Sequence, residues 1–175
     1  MDVQDAVLAN VFLAIQNRIV AEVPELKFVD LDTGQLEYKD AKERPMVAIP
    51  CALFDFVAAD YTDASEGVQE GDIVLQVRIG VDPFTQATHY FTDTQKANAI
   101  NYFNIEHRVN KALQWWTDGR YFKPLSRASM RTEPRHDGLR VRVLHYKFGL
   151  TDWTAMNVPA ATVATPDFQI IPPTT

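Results

Sequence analysis

The chain has 175 residues, 46% hydrophobic and 23% charged, with a formal net charge of -6 at pH 7; this is the make-up of one folded domain and excludes wholesale disorder. The acidic balance also excludes a protein whose whole surface grips nucleic acid, though not one with a local basic face. Cys51 is the only cysteine, so neither an intramolecular disulfide nor a cysteine-built zinc cluster is available, and a reducing interior is the expected home.

Val7, Val11, Ile15 and Ile19 recur every four residues, with Leu8 and Phe12 beside them, predicting an amphipathic helix that ends near Val23 and Pro24. Asp2, Asp5, Asn10, Gln16, Asn17 and Arg18 interrupt the apolar stretch Val3 to Val23, which is therefore expected to be neither a signal peptide nor a membrane span. Lys27 to Leu31 and Leu36 to Lys39 are short strand candidates, and Asp32-Thr33-Gly34-Gln35 between them predicts a tight hairpin. Asp32-Thr33-Gly34 also spells the aspartic-protease triplet, but Asp30 breaks the preceding strand and Gln35 to Tyr38 continues as a plain one, so no protease is inferred.

Pro45 to Phe56 reads as a buried strand bent or interrupted at Pro50, with Cys51 as a small buried hydrophobe and not a nucleophile. From Asp55 through Asp60, Asp63, Glu66, Glu70 and Asp72 the chain carries acids without a base and is expected to be a solvated loop; it lacks the regular oxygen spacing of a calcium loop. Ile73, Leu75, Val77, Ile79 and Val81 alternate strictly with other residues, predicting a central strand. Thr92 and Gln95 fit a capping box ahead of a long helix from about Thr94 to Asp118, whose stripe is Tyr102, Ile105, Val109, Ala112 and Trp116. Trp115 and Trp116 are expected on different sides of it, and His107 lacks the second histidine of a zinc-binding H-E-x-x-H.

Leu125 to Thr132 and Leu139 to Leu150 predict a second hairpin reversing at Glu133 to Gly138, its second strand beginning with Leu139, Val141 and Val143 on an apolar face and Arg140 and Arg142 on a cationic one. Gly119 to Trp153 is the basic part of the chain: Arg120, Lys123, Arg127, Arg131, Arg135, Arg140, Arg142 and Lys147 face only Glu133, Asp137 and Asp152. Beyond Trp153, four prolines and a single charge mark a segment unable to build its own core. The expected organisation is a single α+β domain over 1–153, a mostly antiparallel sheet with the N-terminal helix and one long helix packed on it, and an extended tail over 154–175. Val163, Phe168, Ile170 and Ile171 are the tail's candidate docking points. No catalytic or cofactor signature emerges.

This order of elements resembles the small tail-terminator and tail-completion (head-tail joining) proteins of long-tailed bacteriophages. The likeness is carried by Val74 to Val81 (V-L-Q-V-R-I-G-V), the helix Asn104 to Trp116, and Ser129 to Asp152, whose long strand runs into F-G-L-T-D-W. It covers most of Val3 to Trp153 and leaves the Pro-rich tail outside. The resemblance implies a virion protein of the tail or neck, assembled in the host cytoplasm as a closed ring, usually of six subunits. Such a ring stops tail growth and joins tail tube to neck or connector, with no reaction, cofactor, metal or membrane.

A head-to-tail ring needs two complementary patches on each subunit. The candidates are Arg127, Arg131, Arg140 and Arg142 against Asp60, Asp63, Glu66 and Glu70, with Phe168 and Ile170 as further partner contacts. Three alternatives remain open at this point: a head-completion or adaptor ring; a small nucleic-acid binder using the same arginines with Tyr121, Phe122 or Tyr146 as stacking platforms; and an enzyme built on Asp32, His107 or His145. DNA contact is secondary in the leading reading.

Overall fold

The computed structural model describes residues 6–37, 47–82 and 89–156. Within them, α1 (Val7–Glu22), β1 (Phe28–Leu31), β2 (Cys51–Ser65), β3 (Val68–Val81), α2 (Asp93–Ala99), α3 (Tyr102–Leu113), β4 (Ser126–Glu133) and β5 (Arg140–Asp152) follow in chain order. The five strands form one sheet in the order β1-β2-β3-β5-β4, antiparallel throughout except for β1 against β2. The fold is α+β, and the strictly alternating Ile73–Val81 run lies in the central strand.

One face of the sheet carries the main core. Val11, Ile15 and Ile19 of α1 and Ile105, Val109 and Ala112 of α3 pack over Phe54, Leu75, Val77, Ile79, Leu144 and Tyr146. The Tyr146 hydroxyl donates to Asn110 Oδ1 at 3.1 Å, so the buried phenol keeps a partner on α3. Two further bonds hold α1 in place: Gln16 Nε2 to Val29 O at 2.8 Å and Arg18 Nε to Ala112 O at 3.2 Å. On the opposite face Leu36, Cys51, Leu53, Val141 and Val143 form a smaller cluster. Burial pushes the Cys51 thiol up to about 11, leaving it a packed hydrophobe and no nucleophile.

Several expected elements differ. Leu36 does not open a hairpin strand: it is buried in a turn, and Phe28–Leu31 instead pairs in parallel with Cys51–Phe54. Tyr38 and Lys39 lie outside the described residues. The strand expected from Pro45 begins only at Cys51, after the cis Ile49–Pro50 peptide. The acidic stretch is no loop, because β2 and β3 continue as a hairpin to the turn at Glu66 and Gly67, where Gly67 has φ +73°. At Gly71 an added Cβ would stand 2.7 Å from Tyr61 Cε1, so this glycine gives the Tyr61 ring room to cross the sheet.

The long helix is two helices broken at Ile100 and Asn101. Thr92 and Gln95 do form a capping box, Thr92 N to Gln95 Oε1 at 3.0 Å and Gln95 N to Thr92 Oγ1 at 3.4 Å. Neither tryptophan is helical. Trp116 packs edge-on to Phe122, under the Arg18 guanidinium, while Trp115 has φ +60° and is 74% exposed.

The main core generates a direct test. Ile15→Ala should lower unfolding free energy by about 2–5 kcal/mol, read as a lower urea midpoint at unchanged slope, whereas Val20→Ala, on the exposed side of α1, should stay within about 0.5 kcal/mol of wild type.

Candidate assembly interface

Much of the basic segment is consumed inside the subunit. The even-numbered residues of β5 from Leu144 to Leu150 lie on the helical face, and the same alternation places Arg140 and Arg142 under α3. Glu106 meets them there: Arg142 Nε donates to Glu106 Oε2 at 2.8 Å and Arg140 Nε to Oε1 at 3.3 Å, while Arg142 Nη1 reaches Thr132 Oγ1 at 2.7 Å. Arg142 is 8% exposed and Glu106 7%, and Arg140 also stacks over Tyr102 at 4.3 Å. Neither arginine forms an open cationic face, because both are held against one buried carboxylate, that of Glu106.

The other face holds a second ionic cluster. Arg78, 8% exposed, donates from Nη1 to Asp32 Oδ2 at 3.2 Å, from Nε to Glu133 Oε2 at 3.2 Å, and from Nη2 to Glu37. Arg135 donates from Nε to Asp137 Oδ1 at 3.1 Å, from Nη1 to Glu133 Oε1 at 3.0 Å and from Nη2 to Leu36 O at 2.8 Å. Burial alone would lower the Arg78 pKa, but its bonds to Glu37, Asp32 and Glu133 hold it above the ordinary range. Burial likewise pulls Glu37 up, and the Arg78 hydrogen bond and charge outweigh it, so Glu37 ends below the usual carboxylate range. Arg135 holds Asp137 low through its hydrogen bond. Turns 32–37 and 133–138 are thereby pinned over the small cluster around Leu36.

Other charges remain uncommitted. Arg127 and Arg131 are exposed on β4, the outer strand of the sheet, and neither has a carboxylate partner among the described residues. Asp60, Asp63, Glu66 and Glu70 are exposed along the far half of the β2–β3 hairpin, where, among the described residues, β2 has no strand neighbour on its outer side beyond the Leu31–Phe54 pair. Asp63 accepts from Gln69 Nε2 at 2.9 Å. Arginines and acids thus lie at opposite sides of one sheet. Phe168 and Ile170 lie outside the described residues.

Candidate chemical groups do not converge. Asp32 is bound to Arg78; His107 is exposed on α3; the His145 ring sits between Ser129 Oγ at 2.9 Å and Gln76 Oε1 at 3.1 Å. Burial lowers the His145 pKa, with the Arg131 charge adding to it. Among the described residues no group of histidine, cysteine or carboxylates could hold a metal ion, and no helix is long and apolar enough to cross a membrane. Of the expected stacking platforms, Phe122 and Tyr146 are core residues.

The residues that sequence reasoning missed are Arg78 and Glu106, together with the inward position of Arg142. Glu106 follows Ile105 on the buried side of α3, and Arg142 shares the parity of Leu144 and Tyr146; that parity was the available signal, although Arg142 was read onto a cationic face. Trp115 carried no such mark, because its left-handed backbone depends on distant bonds, Trp115 N to Leu125 O at 2.8 Å and Leu125 N to Trp116 O at 3.0 Å.

No protein-family model and no curated protein matches this chain. Among solved structures it is similar to a chain of the virion of a native gene transfer agent particle, at 13% identity and a TM-score of 0.50, over 83% of this chain and 98% of that one. The two share a fold.

Glu106→Ala would leave Arg142 buried without a counter-charge and should cost about 3–5 kcal/mol in urea unfolding, against about 0.5 kcal/mol or less for exposed Arg131→Ala. The carboxylates of Glu37 and Asp137 have lowered folded-state pKa values, so their stabilisation is complete above the ordinary carboxylate pKa and disappears as pH falls through the lowered values. Unfolding free energy measured from pH 7 down to 3 should therefore decline at the acid end, and Asp137→Asn should flatten that decline while leaving the neutral-to-alkaline side unchanged.

Proposed function

We infer that this chain is a structural subunit of a phage-like virion, working in the neck or tail as a closed ring, usually of six copies, that ends the tail tube and joins it to the head. The observation that carries the reading is the fold shared with a gene transfer agent virion chain over nearly all of that chain's length. The opposed acidic and basic sides of the sheet support it, since a cyclic assembly is built from two different patches repeated head to tail. In this reading residues 1–153 act as one domain and 154–175 as an extended segment with Phe168 and Ile170 among its contacts. Its partners are its own copies and the tail-tube and connector proteins. No reaction or cofactor is assigned, and DNA is not a primary partner, because Arg135, Arg140 and Arg142 are already paired with carboxylates.

Sedimentation and native mass measurement of the full chain test it. A discrete ring mass at low salt that shifts toward smaller species as salt rises is expected, because exposed ion pairs are screened over about 10 Å at 0.1 M. A chain that stays monomeric at every concentration and salt would overturn the ring.

A further inference from the structure

We propose that neighbouring copies join edge to edge, β4 of one copy adding in antiparallel register to the outer half of β2 of the next, so that the sheet continues from subunit to subunit. The proposal rests on the ring reading above and specifies its contact. Three independent features of the backbone and side chains select the same register.

Hydrogen-bonding direction comes first. Phe54 O accepts from Asp32 N at 3.0 Å, so Phe54 faces away from β3. Counted through the bulge between Phe56 and Ala58, the ladder then turns Ala59, Tyr61 and Asp63 outward. On the other side, Arg127 N donates to Gln114 Oε1 at 2.9 Å and so faces away from β5. Counted through the bulge between Arg127 and Ser129, Met130 and Thr132 also face outward. Antiparallel strands bond where outward residues meet, and Arg127 opposite Asp63, Met130 opposite Tyr61 and Thr132 opposite Ala59 satisfy this together.

Facing comes second. Arg127, Met130 and Thr132 pair with Tyr146, Leu144 and Arg142 and therefore share the helical face. Ala59 and Tyr61 pair with Ile73 and Gly71 and share it too. In this register Met130, 53% exposed, meets Tyr61, 40% exposed, and both lose apolar surface to water. Charge comes third: Arg127 meets Asp63 on one face and Arg131 meets Asp60 on the other, and shifting the strand by two residues loses both matches. Gln114 and Trp115 close the edge beside Leu125 and Arg127, so the backbone ladder centres on Met130 and Thr132.

The register also suits a closed ring. Arg127 is level with Leu75 in its own copy and with Gln69 in the next. That shift is about 20 Å at roughly 3.3 Å per residue, against about 19 Å for the four strand spacings from β3 through β5, β4 and the next copy's β2 to its β3, a tilt of about 46°. Closed sheets tilt by roughly 35–45°, so this register lies at the steep edge of that range.

Ser129 and Thr62 face each other as a non-hydrogen-bonded pair in this register, with Cα atoms about 4.5 Å apart, close enough for a disulfide. Both are exposed, and native Cys51 is buried and does not compete. The full chain carrying Ser129→Cys and Thr62→Cys should give, on mild oxidation, a ladder of covalent multimers in non-reducing gels, whereas each single variant should not. Arg131→Asp should raise the concentration needed for assembly by about tenfold or more, with recovery when Asp60→Arg is added to the same chain. Rings of wild-type mass that neither cross-link nor respond to the charge reversals would overturn this contact and leave the ring standing. A monomeric wild-type chain would remove both. If Arg131 instead guards the edge against pairing, Arg131→Ser would increase self-association, which also overturns the proposal.

Discussion

Two guanidinium groups buried on opposite faces of the same sheet set the terms for the rest of this structure. Arg78 on β3 and Arg142 on β5 stand one residue out of step, so that Arg78 pairs with Val143 and Ile79 with Arg142, and one arginine points below the sheet while the other points above. An unpaired buried charge costs several kcal/mol, so each must meet acid brought from elsewhere in the chain. Above the sheet the acid comes from α3, through Glu106; below it comes from the turns at Asp32, Glu37 and Glu133. Helix docking and loop closure are thus coupled to the same strand pair, with the apolar core supplying the driving force and the ion pairs fixing where elements land.

What was legible in the sequence divides along the same physical line. α1 and β3 were readable because each buries one clear stripe or one clear face. The outer part of β2 was not, since a strand exposed on both faces has no apolar alternation and its acids read as a loop. β1 was located, but its pairing was misassigned because its partner, Cys51–Phe54, lies some twenty residues further on, beyond what turn chemistry at Gly34 reports. The helix break at Ile100 and Asn101 lacks the glycine or proline that usually marks one. Counting charges between Gly119 and Trp153 overstated the cationic surface, because Glu106 reaches Arg140 and Arg142 and Glu37 reaches Arg135 from outside that stretch, and only the matched parity of Arg142 with Tyr146 hinted at it.

Subtracting those internal pairs changes what the surface offers. The arginines left exposed on β4 are few and lie at the margin of the sheet, and the acids on the hairpin lie at the opposite margin. A broad basic patch would suit a polyanion running across it. Exposed arginines on one strand edge and exposed acids on the opposite one suit a repeat of the subunit itself, because each copy then presents the complement of what it needs.

The strength of such a contact follows from its composition. Exposed ion pairs contribute about 0–1 kcal/mol each, and a short ladder of backbone bonds replaces bonds already made to water, adding only about 0.5–1.5 kcal/mol per bond. A single edge-to-edge contact is therefore weak, and a pair of subunits would separate readily. Closing a ring changes the balance, because the last contact forms within one assembly and costs no further translational freedom. A subunit joined in this way would stay soluble as a monomer or open fragment and commit only when a complete circle, or a surface that templates it, becomes available. That behaviour is what a ring required at one place in a particle needs.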